Sequence, residues 1–213
     1  MFWIAGMVGL LTLTQQPQDA GAAGSEDARP HPLVPVVTRI LDGRSGEQPP
    51  WKLPMVLNGL KKDPLPARCT TYCERCPDGG GIHTRWGSRI RRGVVAADPR
   101  YWGPGSVIYM GPPVDEVLIV EDTGSAIRGP NRFDVCVTGH HALCRRWGSF
   151  KATYVPLFRT DPTRRWGTKP AGWHPPQWGL TRELLTLAAE RVPGLQLAIE
   201  TLMAQIPAKP VTG

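Results

Sequence analysis

Three aspartates stand at the ends of hydrophobic segments, and their placement suits acid–base chemistry. Asp98 closes Val94-Val95-Ala96-Ala97-Asp98-Pro99. Asp122 follows the β-branched run Val117-Leu118-Ile119-Val120-Glu121 and opens a turn at Asp122-Thr123-Gly124. Asp134 lies near the start of Phe133-Asp134-Val135-Cys136-Val137. An ionised carboxylate beside a core costs free energy unless it is paired. Acids at strand ends therefore either cap tight turns with their side chains or are used. A carboxyl that keeps its proton through apolar surroundings and nearby negative charge is suited to general acid–base catalysis. Asp98, Asp122 and Asp134, with Glu121 adjacent to the middle one, are the candidates, and three acids at strand ends could converge on one cleft. The competing role, hydrogen-bonding loop amides to hold the fold, is open for Asp98 and Asp134. The catalytic reading requires all three acids to meet in one groove.

The elements that must position these acids are short. Strands are expected near Cys69–Tyr72, Gly93–Asp98, Ser106–Met110, Val117–Glu121, Phe133–Val137 and Ala152–Leu157, with turn signals between each pair. A single helix, Gly139 to Trp147, ends at Gly148. This is a mainly β pattern, and six such strands suit a small closed barrel, which leaves no exposed edge. The 23 Pro, 24 Gly and 8 Trp among 213 residues also disfavour a helical bundle. Residues 25–66 hold eight prolines and no sustained period, and read as a linker. Within it, Val34–Leu41 is expected as an edge strand and Trp51–Leu60 as a segment packed on the domain. Beyond Phe158 comes a basic Trp/Pro-rich run. A helix follows with Thr181 as N-cap and Leu184, Leu185 and Ala188 on one face. Pro193-Gly194 breaks it before a second amphipathic piece, and this tail is expected to dock on the barrel. The division is 1–22, 23–68, 69–158 and 159–213: N-terminal segment, linker, barrel and tail.

The formal charge of +7 and a pI near 9.5 favour anionic partners such as nucleic acid, acidic lipid or bacterial cell wall. No nucleic-acid-binding motif accompanies the arginines, so nucleic acid is not expected as a partner. The opening run FWIAGMVGLLTL is short for a membrane span. Ala20-Gly21-Ala22 behind it suits signal-peptidase cleavage, although no Lys or Arg precedes the run. Residues 1–22 thus read as a signal peptide or N-terminal anchor, and the chain as exported. Membrane contact is confined to that segment if it is uncleaved.

The motifs GVVAADP, GPGSVIYM and VEDTGSAIRGPNRFDV, followed by a short helix ending in glycine, together resemble the 3D domain, a family named for three aspartates. The family occurs in the catalytic part of membrane-bound lytic transglycosylase A and in stationary-phase survival proteins. The resemblance covers Cys69 to Leu157 and implies a double-psi β-barrel. It places Asp98, Asp122 and Asp134 on the name-giving aspartates, with Asp122 as the catalytic acid. It also implies substrate contacts from Thr123, Gly124, Thr84 and Arg128. Thr84 and Gly87 match a Thr…Gly motif in which Trp86 replaces a usually small residue, and Gly103-Pro104-Gly105 replaces a Pro-Leu-Gly turn. The implied reaction is cleavage of the β-1,4 bond between N-acetylmuramic acid and N-acetylglucosamine in peptidoglycan, which needs no cofactor. The alternative is a non-catalytic module that binds cell-wall glycan, with the acids as loop braces. Trp86, Trp102 and Trp147 could stack on sugars, though burial is expected for at least two of them. Trp166, Trp173 and Trp178 are the better candidates for glycan contact.

Other chemistries fit the same residues less well. Asp122-Thr123-Gly124-Ser125 also occurs in aspartic proteases, but Glu121 stands where an apolar residue is needed and no second copy exists. Cys69-x3-Cys73-x2-Cys76 has the spacing of a radical-SAM cluster, yet the large α/β barrel that chemistry requires does not follow. Five cysteines leave at least one unpaired or shared between chains. Disulfides are the first expectation for an exported chain. A zinc site of Cys69, Cys73 and Cys76 with His83 or another ligand is the second. Of His140 and His141, one is expected packed and one exposed.

Overall fold

A computed structural model describes residues 30–42, 46, 48–76, 81–139, 141–192, 194 and 196–206. The N-terminal segment read as a signal peptide, and His140, lie outside them. Six strands form a closed barrel: β1 (Leu65–Tyr72), β2 (Val94–Ala97), β3 (Val107–Met110), β4 (Glu116–Asp122), β5 (Arg132–Cys136) and β6 (Ser149–Phe158), in the spatial order β1-β5-β2-β4-β3-β6. The pairs β1–β5 and β2–β4 are parallel and the other four antiparallel. This is the small six-stranded barrel expected, with each strand within a few residues of its predicted place. The largest difference is at β1, which begins at Leu65, inside the stretch read as linker.

β2 and β3 are buried along their whole length, which is why VVAA and VIYM run apolar without alternation. One face of the strands fills the barrel. There Trp102, Phe133 and Tyr154 meet with ring centroids 5.0–5.9 Å apart, among Cys69, Val95, Val120 and Val135. The outer face of β3 and β6, with Val107, Tyr109, Val155 and Leu157, carries a second core shared with helices.

The predicted linker supplies two of those helices. Val34–Leu41 is helix α1 rather than an edge strand, and Lys52–Gly59 is α2. The β-branched content of Val34–Leu41 suggests a strand, but Leu33, Val36, Val37 and Ile40 have helical spacing. Pro35 sits in the first turn, where a missing N–H costs nothing. Leu33, Val36 and Val37 are buried, as are Met55, Val56 and Leu57 of α2. Tertiary burial of one face overrides local strand preference here. α1 is tied to the barrel by Arg39, which pairs with Asp115 at 2.8 Å, and Asp115 also accepts from the Tyr109 hydroxyl.

The tail docks as expected. α4 (Arg182–Arg191) is N-capped by Thr181, whose hydroxyl accepts from the Leu184 N–H, and Leu184, Leu185 and Ala188 enter the helical core. α5 (Gln196–Gln205) adds Ile199. Between β6 and α4 the Trp/Pro-rich run straps across the barrel. Trp173 meets Trp86 edge to face at 4.7 Å, Trp178 packs on Phe158, and Trp166 packs against the barrel core. These three tryptophans hold the strap through these contacts, and each remains partly exposed. Trp86 and Trp102 are buried, as anticipated. The Gly103-Pro104-Gly105 turn has a local reason: a Cβ on Gly105, at φ +86°, would lie 2.4 Å from the Trp173 ring.

Candidate active site

Three strands put two of the aspartates into one row. On β2, Ala96 stands opposite Asp134 of antiparallel β5 and opposite Asp122 of parallel β4. Neighbouring strands lie about 4.8 Å apart, so the two acids flank Ala96 on adjacent ladders. A register shift decides which acid of β4 takes this place. Val95 pairs with Val120 but Ala96 pairs with Asp122, so β4 carries one extra residue. Without that bulge Glu121 would stand opposite Ala96. Bulges re-aim side chains in this way beside functional sites.

The row opens into a cleft of about 1000 Å³. Tyr72, Ala96 and Ile127 line it, the Thr123–Ile127 loop and Thr84-Arg85 form one side, and Cys76, His141, Cys144 and Arg145 form the other. Its size and its mixture of apolar floor and convergent polar groups are those of a ligand site. Asp122 Oδ1 accepts 2.8 Å hydrogen bonds from the backbone N–H groups of Arg85 and Thr123. The turn that supplies Arg85 is held by Thr84, whose hydroxyl bonds Ser88 at 2.9 Å and whose carbonyl accepts from Gly87 N–H. Gly87 has φ +81°, which explains a glycine there. Thr84 thus serves the turn, and Thr123 holds Asp122 through its backbone.

Asp134 is the more enclosed carboxyl. Its Oδ1 is buried without a hydrogen-bond partner. Burial pushes its pKa up and the charge of Asp122 adds to this, while the Thr70 hydroxyl and Arg132 work the other way. Tyr72, also in the cleft, has its phenol pushed far above the usual range, first by burial and then by the Asp122 charge.

The other acids are spoken for. Asp98 does not line this cleft, which corrects the expectation of three acids in one groove. It is buried, takes bidentate bonds from Arg100, with Nη2 at 2.6 Å, and accepts the Gly129 N–H at 2.7 Å. The Arg100 bonds hold its carboxyl well below the usual carboxylate range, against burial, and the Gly129 and Arg100 N–H groups assist. Asp98 therefore braces the loop between β4 and β5. A depressed acid contributes stability above its unfolded pKa of about 3.9, and that stability is lost as pH falls towards the folded value. Asp98→Asn should cost about 1–2 kcal/mol at pH 7, since the pair with the 60% exposed Arg100 loses its charge while the amide oxygen can still accept the Gly129 N–H. The difference between variant and wild type should shrink below about pH 4 in urea melts.

Glu121 is not a free negative neighbour either. It is fully buried, and burial opposes its charge, but bonds from Arg91, Lys169 and Ser88 outweigh this and hold it below the usual range. Arg128, expected at the substrate, lies on a different surface with Arg68, Pro130 and Arg132. Of the cysteines, none forms a disulfide among the described residues. Cys69 cannot join a site with Cys73 and Cys76, because its sulfur points into the barrel at Met110, 3.6 Å away, and burial pushes its thiol up to about 12. Tyr72, Arg85 and Arg145 are cleft residues that motif reasoning missed. Arg85 and Arg145 come from segments whose approach only the fold determines.

Residues 93–156 match the family model of the 3D domain. This barrel carries a 3D domain. The matched stretch runs from the start of β2 into β6 and contains Asp98, Asp122, Asp134 and the helix His141–Trp147; β1, Thr84 and the other four helices lie outside it. No curated protein sequence matches the chain. Within the 3D domain the three acids divide into two roles, a cleft pair and a loop brace.

Proposed function

We propose that the chain is a peptidoglycan lytic transglycosylase, exported to the cell envelope, that cleaves the bond between N-acetylmuramic acid and N-acetylglucosamine and leaves 1,6-anhydro ends. The observation that carries this reading is the row Asp122–Ala96–Asp134 at the wall of an open cleft in a 3D domain. Asp122 donates a proton to the glycosidic oxygen as the bond breaks. Its carboxylate then takes the proton of the muramoyl C6 hydroxyl, which closes on the anomeric carbon. The nucleophile belongs to the substrate, so no second carboxylate has to activate water, unlike the usual glycosidase pair.

Two backbone donors fix Asp122 Oδ1, so the acid is aimed before substrate arrives. Asp134 is the charge partner of Asp122. Arg85 and Arg145 are exposed at the rim and suit an anionic glycan carrying peptide carboxylates. No cofactor enters the scheme.

Digestion of purified sacculi, followed by mass spectrometry of the released fragments, tests the reading. Anhydromuropeptides are the expected product. Reducing-end fragments without the anhydro ring would make the enzyme a hydrolase. Binding to sacculi with no fragments at all would leave a cell-wall-binding module and overturn the catalytic assignment.

A further inference from the structure

Two short motifs from distant parts of the chain meet beside the cleft. Cys73 and Cys76 follow β1 as a Cys-x2-Cys turn, in which the Cys76 N–H bonds the Cys73 carbonyl. His141 and Cys144 lie three residues apart in helix α3 (His141–Trp147). The helix is held to β1 where the Thr71 hydroxyl donates to the Cys144 carbonyl at 2.9 Å. Cys73 and Cys76 have their sulfurs 3.5 Å apart, Cys76 and Cys144 3.2 Å. All three sulfurs lie within 4.8 Å of one another. The His141 Nδ1 faces the same group, 3.2 Å from the Cys73 sulfur and 4.0 Å from that of Cys76.

A tetrahedral zinc ion with Zn–S near 2.3 Å and Zn–N near 2.0 Å sets its ligand atoms about 3.5–3.8 Å apart. The three sulfurs stand near that spacing, as does the His141 Nδ1 from the sulfurs of Cys73 and Cys76. A disulfide could join only one sulfur pair and would leave a third cysteine and the histidine unexplained. Val137, Leu143 and Trp147 pack around the cysteines. The Arg75 N–H points at the Cys73 sulfur, the outer-shell bond that a thiolate ligand accepts. One contact favours a protonated thiol instead: the Cys144 sulfur is 3.2 Å from the Thr71 carbonyl, and a metal-bound thiolate would relinquish it.

We propose that Cys73, Cys76, Cys144 and His141 form a structural zinc site that clamps α3 to the end of β1. Four protein ligands leave no open position, so the ion holds structure and does no chemistry. Its consequence is local: Cys76, His141, Cys144 and Arg145 line the cleft, so the ion fixes the wall opposite the Asp122 loop. The site stands independently of the transglycosylase reading.

The full chain, purified under reducing conditions from zinc-supplemented cells, should carry one zinc per molecule by elemental analysis. Titrating its thiols with an organomercurial should release that zinc. Loading with cobalt in place of zinc should give the thiolate charge-transfer and intense visible bands of a tetrahedral sulfur-rich site. His141→Ala should weaken zinc retention against a chelator by about 100-fold, His141→Cys should restore it, and Cys136→Ser, outside the cluster, should leave it unchanged. The wild-type measurements decide the matter even if a ligand variant fails to fold. A folded, reduced protein that takes up neither zinc nor cobalt overturns the proposal. So does a metal-free protein two hydrogens light, with Cys76 mapped in a disulfide.

Discussion

Asp122→Asn is expected to lower the rate of anhydromuropeptide release from sacculi by at least about 100-fold, the lower end of what a positioned general acid–base supplies. The substitution is nearly isosteric, and its amide oxygen can still accept from the Arg85 and Thr123 N–H groups that now bind Oδ1. The loop should therefore keep its place and the folded protein its stability, so that a loss of rate reports chemistry. One further change should accompany it. The charge of Asp122 is part of what raises the Asp134 carboxyl, so in the variant Asp134 should titrate at lower pH, with burial still keeping it above an ordinary aspartate. Carboxyl NMR titration reads this directly. Unchanged turnover in the variant would remove Asp122 from the mechanism, and an unchanged Asp134 titration would dissolve the pairing across Ala96.

The second large effect concerns stability. Removing both cations that face Glu121, in an Arg91→Met, Lys169→Met double variant, should destabilise the fold by roughly 3–5 kcal/mol at pH 7, the usual penalty for leaving a buried charge without its partner. Glu121 is wholly buried, whereas Arg91 is 46% and Lys169 18% exposed, so the cations lose less by separation than the carboxylate does. Arg91→Met alone should fall below that range, because Lys169 and Ser88 still bond the carboxylate. The pH dependence should change sign. In the wild type the Glu121 carboxyl is depressed, so its contribution is present above an unfolded pKa of about 4.3 and is lost as pH falls. Alone in the interior it would be raised, and folding would weaken as pH rises through the window above about 4.3. Urea melts at several pH values separate the two slopes. The double variant should also loosen the strap, since Lys169 reaches Glu121 from it and lies over the Trp86 and Trp173 rings.

Much of the barrel was legible because its signals are local. Val117–Val120 and Val94–Ala97 are apolar runs bounded by turn residues, and such runs have few alternatives to a strand. The same holds for the N-cap at Thr181 and the apolar face of α4. Val34–Leu41 was misread because composition and spacing disagreed there: valines favour a strand, but the spacing of Leu33, Val36, Val37 and Ile40 fits a helix only if a partner surface covers that face. The surface is the outside of β3 and β6, and nothing near residue 34 announces it.

The candidate site divides along the same line. Sequence alone determined that acids would stand at strand ends near the Asp122 turn, since hydrophobic runs and turn chemistry depend on neighbours in the chain. It could not determine which acids share a groove. That is a matter of register and of ion partners, which are set by packing between distant segments. A one-residue bulge puts Asp122 beside Ala96 and turns Glu121 towards Arg91 and Lys169; Arg100 takes Asp98 out of the cleft; the approach of α3 to β1 gathers three of five cysteines with His141. Each is a contact between residues far apart in sequence, where side-chain type says what can bond and only the folded chain decides what does.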